Sequence, residues 1–255
     1  MTDSKISWAT KSYNPIRGCD PISPGCDNCY ASRMAHRFMN PKSPWKGLVD
    51  EETAEWNGRV VFDEKSLDLP RRWRKPQRIF VCSMSDLFSK KVPDSWIRRV
   101  FSVMIANAHH TYLVLTKRAN RMKNFLTMHE GDQYKHWPHI WLGVTAENQA
   151  YANYRIRKLI QVPAVNRFVS VEPMLGPIDM EPELDSGKIH WVVCGGESGA
   201  GHRKMEEAWA LDLMDQCEST RVPFHFKQHS GPRPGWKPEL DGVEHRWVPP
   251  LPGER

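Results

Sequence analysis

Three cysteines fall within eleven positions of the 255-residue chain, in the stretch GCDPISPGCDNCYASRM. Cys19, Cys26 and Cys29 are separated by six and then by two residues, with Pro, Gly, Asp and Asn between them. Pro24-Gly25 is a turn pair that brings Cys26 near Cys29. Gly18 lets the backbone approach whatever the thiolates hold. Clustered cysteines in a chain of this length with no export signal read as a metal site rather than a disulfide framework. Two chemistries fit. A structural zinc needs four closed ligands, with Asp20, Asp27 or His36 as the fourth. A 4Fe–4S cluster on three thiolates leaves one iron open, as a catalytic cluster requires. Cys82, Cys194 and Cys217 lie in apolar strand and helix patterns and read as small hydrophobes.

The elements that must position this loop show in the apolar runs. RIFVCS (78–83), TYLVLT (111–116), HIWLGVT (139–145), RFVSVE (167–172), IHWVVCGG (189–196) and VPFHFKQ (222–228) recur at about the length of one strand, one helix and two loops. They are apolar on both faces, as parallel strands covered by helices are. A seventh strand is expected near ISWAT, just before the cysteine loop. SWIRRVFSVMIANA reads as a helix capped by Asp94 or Ser95, and EEAWALDLMDQCEST (206–220) as another. Such alternation builds either an open doubly wound sheet or a βα barrel. Residues 40–77 read as an irregular insertion after the first helix, and 230–255 as an extension over the surface.

In βα architectures chemistry gathers at the carboxyl ends of the strands. Those ends here are Ser83 to Asp86, Thr116 to Arg118, Thr145 to Asn148, Glu172-Pro173, Gly195 to Ser198 and Lys227 to His229. Six polar ends predict one shared polar cavity. The formal charge of +6 favours a polyanionic partner. Five tryptophans (Trp45, Trp56, Trp73, Trp236, Trp247) sit in Pro-, Gly- and charge-rich stretches, either to stack on bases or to pack under loops. No run of eighteen apolar residues exists, so no membrane partner is expected. The first fifteen residues lack an apolar signal segment, and a cytoplasmic location is expected.

The three cysteines, the strand–helix series and the polar strand ends resemble the radical S-adenosylmethionine (SAM) superfamily. Its usual spacing is C-x3-C-x2-C. Here the first interval is three residues longer, and Asn28 rather than an aromatic precedes Cys29. The blocks SYNPIRGCDPISPGCDNCYA, SVEPMLGPIDM, WVVCGGESGAGHRK and VPFHFKQ resemble the phage Gp37/Gp68 family, also called the three-Cys-motif family, in order from residue 8 to about 229. The resemblance implies an α/β fold over residues 1–229, a partial (βα) barrel of radical SAM type with about six to seven parallel strands. It implies a 4Fe–4S cluster on Cys19, Cys26 and Cys29, with SAM as cosubstrate and an electron donor such as flavodoxin. By the same analogy Ser83, Ser85 and Asp86 meet the SAM amino group, with a helix cap as the alternative for Asp86. Lys117 or Arg118 meets its carboxylate, and Thr145, Glu147 and Asn148 its ribose. Glu172 and Glu197 face substrate, with Lys227, Gln228 and His229 closing the cavity. The expected substrate is a modified nucleobase in phage DNA, handled by an isomerase that rearranges an amino-acid-modified thymidine. A lesion-repair lyase like spore photoproduct lyase, and a non-catalytic zinc-containing nucleic-acid-binding protein, are the alternatives.

Overall fold

The apolar runs form a single parallel sheet in a computed structural model that describes residue 4, residues 6–128 and residues 136–254. Its strands are β1 (Lys11–Tyr13), β4 (Arg78–Val81), β5 (Thr111–Thr116), β6 (Ile140–Thr145), β7 (Asn166–Val171), β8 (Trp191–Gly195) and β9 (Phe224–Gln228), hydrogen-bonded in that order. Every neighbouring pair is parallel. A doubly wound sheet reverses its strand order at a switch point. Here the order never reverses, so successive crossovers fall on the same side and the sheet curls into a half-barrel.

Alternation along the strands separates two cores. Tyr112 and Val114 of β5 point outward with Ile79, Leu142 and Val169. They pack against α4 (Asp94–Ala106), α5 (Ala119–Met128), α6 (Gln149–Leu159) and α7 (Glu207–Ser219). Leu113 points inward with Phe80, Trp141, Phe168 and Trp191. The inner core is completed from outside the sheet. Trp8, from the segment before β1, lies 4.6 Å from Phe80 and edge-on to Trp191 at 6.0 Å. Trp247, from the C-terminal segment, packs on Trp141 and Trp191. His225 of β9 ties the two segments together, with Ser7 Oγ 2.8 Å from its Nε2 and the Trp247 carbonyl 2.8 Å from its Nδ1.

The seventh strand lies where it is expected, directly after ISWAT and before the cysteine loop, and three other local expectations are corrected. The seventh strand begins at Lys11, and ISWAT fills the open side of the half-barrel because Trp8 is buried there. The C-terminal segment is not merely laid over the surface, since Leu240 is buried and Val248 packs against the inner core. Helix α4 starts at Asp94 with Pro93 as its cap and no side-chain cap bond, and Asp94 pairs with Arg121 at 2.9 Å instead. Residues 40–77 carry short elements: β3 (Val61–Phe62), antiparallel to β2 (Ile16–Arg17), then α2 (Glu64–Leu67) and α3 (Leu69–Arg72).

That segment positions the cysteine loop. Leu48, Val49 and Trp56 bury Ala31 and Ala35 of α1 (Tyr30–Arg37), the helix that starts at the third cysteine. Gly18 has φ +83°, and a Cβ there would lie 2.1 Å from the Arg59 carbonyl oxygen. Its lack of a side chain serves this close approach to the 40–77 segment. No helix among the described residues is long and apolar enough to cross a membrane.

Candidate functional site

A cavity of about 190 Å³ lies at the carboxyl ends of the parallel strands. Cys19, Cys26 and Cys29 all line it, each partly exposed, whereas Cys82, Cys194 and Cys217 are buried. The loop is built from local chemistry. Pro24–Cys26 forms a 3-10 turn, Cys29 N–H donates to the Cys26 carbonyl at 3.2 Å, and Cys29 caps α1. Burial pushes the Cys19 thiol up, and nearby Asp86 adds to the effect while Arg118 opposes it.

Three charged groups at three strand ends clamp this loop. At the ends of β4 and β5, Arg118 bonds Asp86 at 3.0 Å and reaches both the carbonyl and, at 3.4 Å, the carboxylate of Asp20. Asp86 accepts four hydrogen bonds, from Thr116 Oγ1 (2.7 Å), Phe88 N (2.9 Å), Lys117 N (3.1 Å) and Arg118. Four is the capacity of a carboxylate. No helix starts at Asp86, so it is not a helix cap; its bonds go to a local turn, to the end of β5 and to Arg118.

At the end of β6, Glu147 is fully buried beneath the loop. Its Oε1 accepts from Ser23 Oγ (2.6 Å), Arg155 (3.1 Å) and Lys117. Burial pushes the Glu147 carboxyl up, but Lys117 and Arg155 outweigh it and hold the group below its ordinary value. A Cβ on Gly25 would lie 2.6 Å from the Glu147 carboxyl carbon, so this glycine lets the loop sit directly on the acid.

At the end of β8, Glu197 accepts four bonds as well: two from the Arg203 side chain, one from Arg203 N and one from Asn28 Nδ2 (2.9 Å). Burial raises its carboxyl and the Arg203 bonds more than reverse this, so it too is held below the ordinary range. Arg203 continues to the Pro24 carbonyl at 2.7 Å and to Asp27 at 3.1 Å.

The sequence-predicted residues thus divide. Ser83, Ser85, Asp86, Lys117, Arg118, Thr145, Glu172, Glu197 and Lys227 join the cysteines on the cavity wall. Glu147 and Asn148 do not. Asn148 accepts from Tyr151 N at 3.2 Å and caps α6. His229 also stays off the wall, bonded to the Glu239 carbonyl at 3.0 Å. Ser83 and Ser85 face the cavity but bond Asn14 (3.2 Å) and the Ile16 carbonyl (2.8 Å), which fixes the entry to the loop. Glu172 and Lys227 form an ion pair at 2.8 Å that bonds no part of the loop, with Ser170 Oγ 3.1 Å from the other carboxylate oxygen.

Sequence reasoning missed Arg155, Ser23 and Tyr30. A signal for Arg155 existed, because it shares the three- and four-residue spacing of Ala152, Ile156 and Leu159 and so falls on the buried face of α6. The five tryptophans are packing residues. Trp56 and Trp73 are buried, Trp45 leans on Trp56, Trp236 packs under Gly231, and Trp247, 37% exposed, lies against Trp141 and Trp191.

Among the described residues, no three His, Cys, Asp or Glu side chains are grouped to hold a single metal ion. The three carboxylate or imidazole groups near enough in sequence to complete a zinc site have other partners. Asp20 is on Arg118, Asp27 on Arg203, and His36 lies 3.0 Å from the Glu51 carbonyl. A carbonyl bond at Nε2 leaves His36 its Nδ1, so the donors present are three thiols on one cavity wall and one imidazole nitrogen nearby in sequence.

Fold and site together define a partial parallel βα barrel with a three-cysteine loop clamped over the carboxyl ends of its strands. The chain belongs to the family described as Protein of unknown function (DUF5131), whose model matches residues 3–243. No curated protein and no solved structure matches it.

Proposed function

We propose that the protein is a radical SAM enzyme acting on a modified nucleobase in DNA, as an isomerase on an amino-acid-modified thymidine. One observation carries the cofactor half: three thiols close in sequence line one cavity at the carboxyl ends of a parallel half-barrel. Cys19, Cys26 and Cys29 would hold the 4Fe–4S cluster. When reduced by a flavodoxin-type donor and supplied with SAM, such a cluster provides a 5′-deoxyadenosyl radical able to take hydrogen from an unactivated carbon.

The chain's own residues bind and orient. Lys117, whose side chain is 19% exposed, presents a cation to the cavity while paired with Glu147, and suits a carboxylate of SAM. The Ser83 and Thr145 hydroxyls suit amino and ribose groups. Glu172 and Lys227 supply one carboxylate and one ammonium side by side, which complements an amino-acid substituent bearing both charges. Asp86 and Glu197, saturated by their own partners, hold the loop. The positive net charge supports a nucleic-acid substrate, and the reaction is assigned to the cytoplasm.

The test is iron and acid-labile sulfide content after anaerobic purification, with electron paramagnetic resonance of the reduced protein with and without SAM. About four irons per chain and a spectrum that shifts on adding SAM are expected. Zinc without sulfide, and no cluster on reconstitution, would end this reading and leave a metal-stapled nucleic-acid-binding protein. Activity on ultraviolet-damaged DNA but not on hypermodified DNA would move the substrate to lesion repair.

A further inference from the structure

Helix α1 buries one face and leaves the other bare. Ala31, Ser32 and Ala35 are covered, while Tyr30, Met34 and Phe38 are 38%, 43% and 57% exposed. These three stand at successive four-residue steps and form one ridge. Single exposed apolar residues are ordinary, but a ridge of two aromatics and a methionine is not. Arg33 and Arg37 flank it. Arg33 bonds only neutral acceptors, the Ala200 carbonyl and Asn28 Oδ1, each at 2.5 Å. Arg37 lies over the Phe38 ring at 5.9 Å. Among the described residues neither guanidinium pairs with a carboxylate, so both charges are uncompensated. Lys42 and Lys46 extend the positive surface on the following turn. An acidic turn, Asp50 to Glu52, bounds the other flank, where His36 meets the Glu51 carbonyl. The ridge begins at the cavity, because Tyr30 lines it and donates its hydroxyl to the Ser83 carbonyl at 2.6 Å.

Aromatic planes interleaved with guanidinium groups that pair with no carboxylate are what single-stranded nucleic acid binds: bases stack on the rings and phosphates meet the cations. We infer that the outer face of α1 (Tyr30, Arg33, Met34, Arg37 and Phe38) is the platform on which an unpaired strand lies as one of its bases enters the cavity. This deepens the nucleic-acid half of the proposed function and rests on it. It does not depend on the cluster. A strand on this ridge runs from exposed Phe38 to Tyr30 at the cavity wall, so the platform also sets which nucleotide arrives. A base cannot be worked on inside a stacked duplex, and a single-strand platform beside the cavity supplies a route for it.

The experiment is fluorescence anisotropy of a labelled single-stranded oligonucleotide titrated with the full chain, across a salt series. Phe38→Ala is expected to bind roughly 5- to 150-fold more weakly, the worth of one stacked base. Arg37→Glu is expected to bind more weakly and to lower the slope of log affinity against log salt by about 0.7 for a lost single-strand phosphate contact. Lys188→Glu, exposed before β8 at the opposite end of the strands, should leave binding unchanged. Thermal melts of the three variants should match wild type, since the altered side chains are exposed. Equal affinity for wild type and Phe38→Ala, or no binding by wild type, overturns the platform. So does a Phe38→Ala protein that binds the oligonucleotide normally but is reduced more slowly by flavodoxin than by dithionite, because the face then belongs to a protein reductant. Cys26→Ala, run in parallel, separates the two readings: oligonucleotide binding retained without iron supports the platform alone, whatever becomes of the radical chemistry.

Discussion

Glu147→Gln removes one charge and almost no volume, and its effect can be worked from the groups it leaves behind. Arg155 is 1% exposed and Lys117 19%, and Glu147 is the carboxylate they share. Gln keeps an acceptor for Ser23, so the loop tether survives in kind while two cations lose their counter-charge. Removing one partner of a buried pair costs about 3–5 kcal/mol, because the remaining charge stays buried without compensation. Lys117 is near enough to solvent to rehydrate, so Arg155 dominates the cost. At 2–4 °C per kcal/mol for a chain of this size, the melting temperature should fall by roughly 6–20 °C. Urea unfolding at matched iron content, read by circular dichroism, measures the change as a shift in midpoint at constant slope. Ser23→Ala is the companion: it cuts the tether but leaves the charges paired, and should cost about 1 kcal/mol while lowering iron retention. Glu147→Gln/Arg155→Met should recover part of the loss, since the stranded cation is gone. A destabilisation by Glu147→Gln below about 1 kcal/mol would refute the reasoning, because it would mean that Arg155 finds water or another anion.

The other expectations concern acid stability, metal retention, backbone geometry and the cavity ion pair. Burial pulls His225 from 6.5 down to about 4, against an opposing backbone bond to Trp247, so the ring is neutral in the fold. A depressed value means stability that is complete above about pH 6.5 and is lost as pH falls toward 4, on the order of 3 kcal/mol in all. His225→Gln should flatten that part of the stability–pH curve in urea titrations, and an unchanged curve would rule His225 out as its source. Cys26→Ala should lose iron and sulfide, whereas Cys194→Ala, buried beside Met174 at 3.6 Å, should keep both at reduced stability. Gly18→Ala should cost about 1–3 kcal/mol in backbone strain alone, with the Arg59 clash added, and a wild-type melting curve would contradict the tight approach. Lys227→Met should keep its iron and its substrate-free SAM cleavage but lose turnover on DNA; coupled turnover retained would take Lys227 out of the site.

The fold was legible where one physical signal dominated. Runs apolar on both faces marked β4 to β9, since a parallel strand under helices has no wet side to alternate with. The start of β1 was less sharp, because Trp8 belongs to a strand-like run, ISWAT, yet is buried by tertiary packing inside the half-barrel. Nothing local distinguishes a residue that pairs in a sheet from one that fills it. The cavity was legible for a topological reason: strands in sequence order bring all their carboxyl ends to one rim. Roles at that rim were less so. A carboxylate after a strand reads the same whether it faces a ligand or an arginine, and its partners sit at no fixed spacing: Arg203 follows Glu197 by six residues, whereas other partners come from distant segments. Asp86 meets Arg118 across β5, and Glu197 meets Asn28 across most of the molecule.

The long first interval between cysteines follows from the same clamps. Six residues separate Cys19 from Cys26, three more than the usual radical SAM spacing. Asp20 is held by Arg118 at the end of β5, Ser23 by Glu147 at the end of β6, and the Pro24 carbonyl by Arg203, itself on Glu197 after β8. The interval therefore spans the rim from β5 to β8, and Gly25 seats it on Glu147. A shorter loop would have to give up at least one of these contacts. The additional residues work as anchors that fix three thiols over the cavity. Deleting Pro21-Ile22, which bond none of the three clamps, should therefore still misplace Cys26, because the distance between the Arg118 and Glu147 anchors no longer matches the chain between them. Iron content of that deletion variant, compared with Ile22→Ala at full loop length, tests the point: loss in the first and retention in the second is expected, and retention in both would mean that the clamps do not set the position of the thiols.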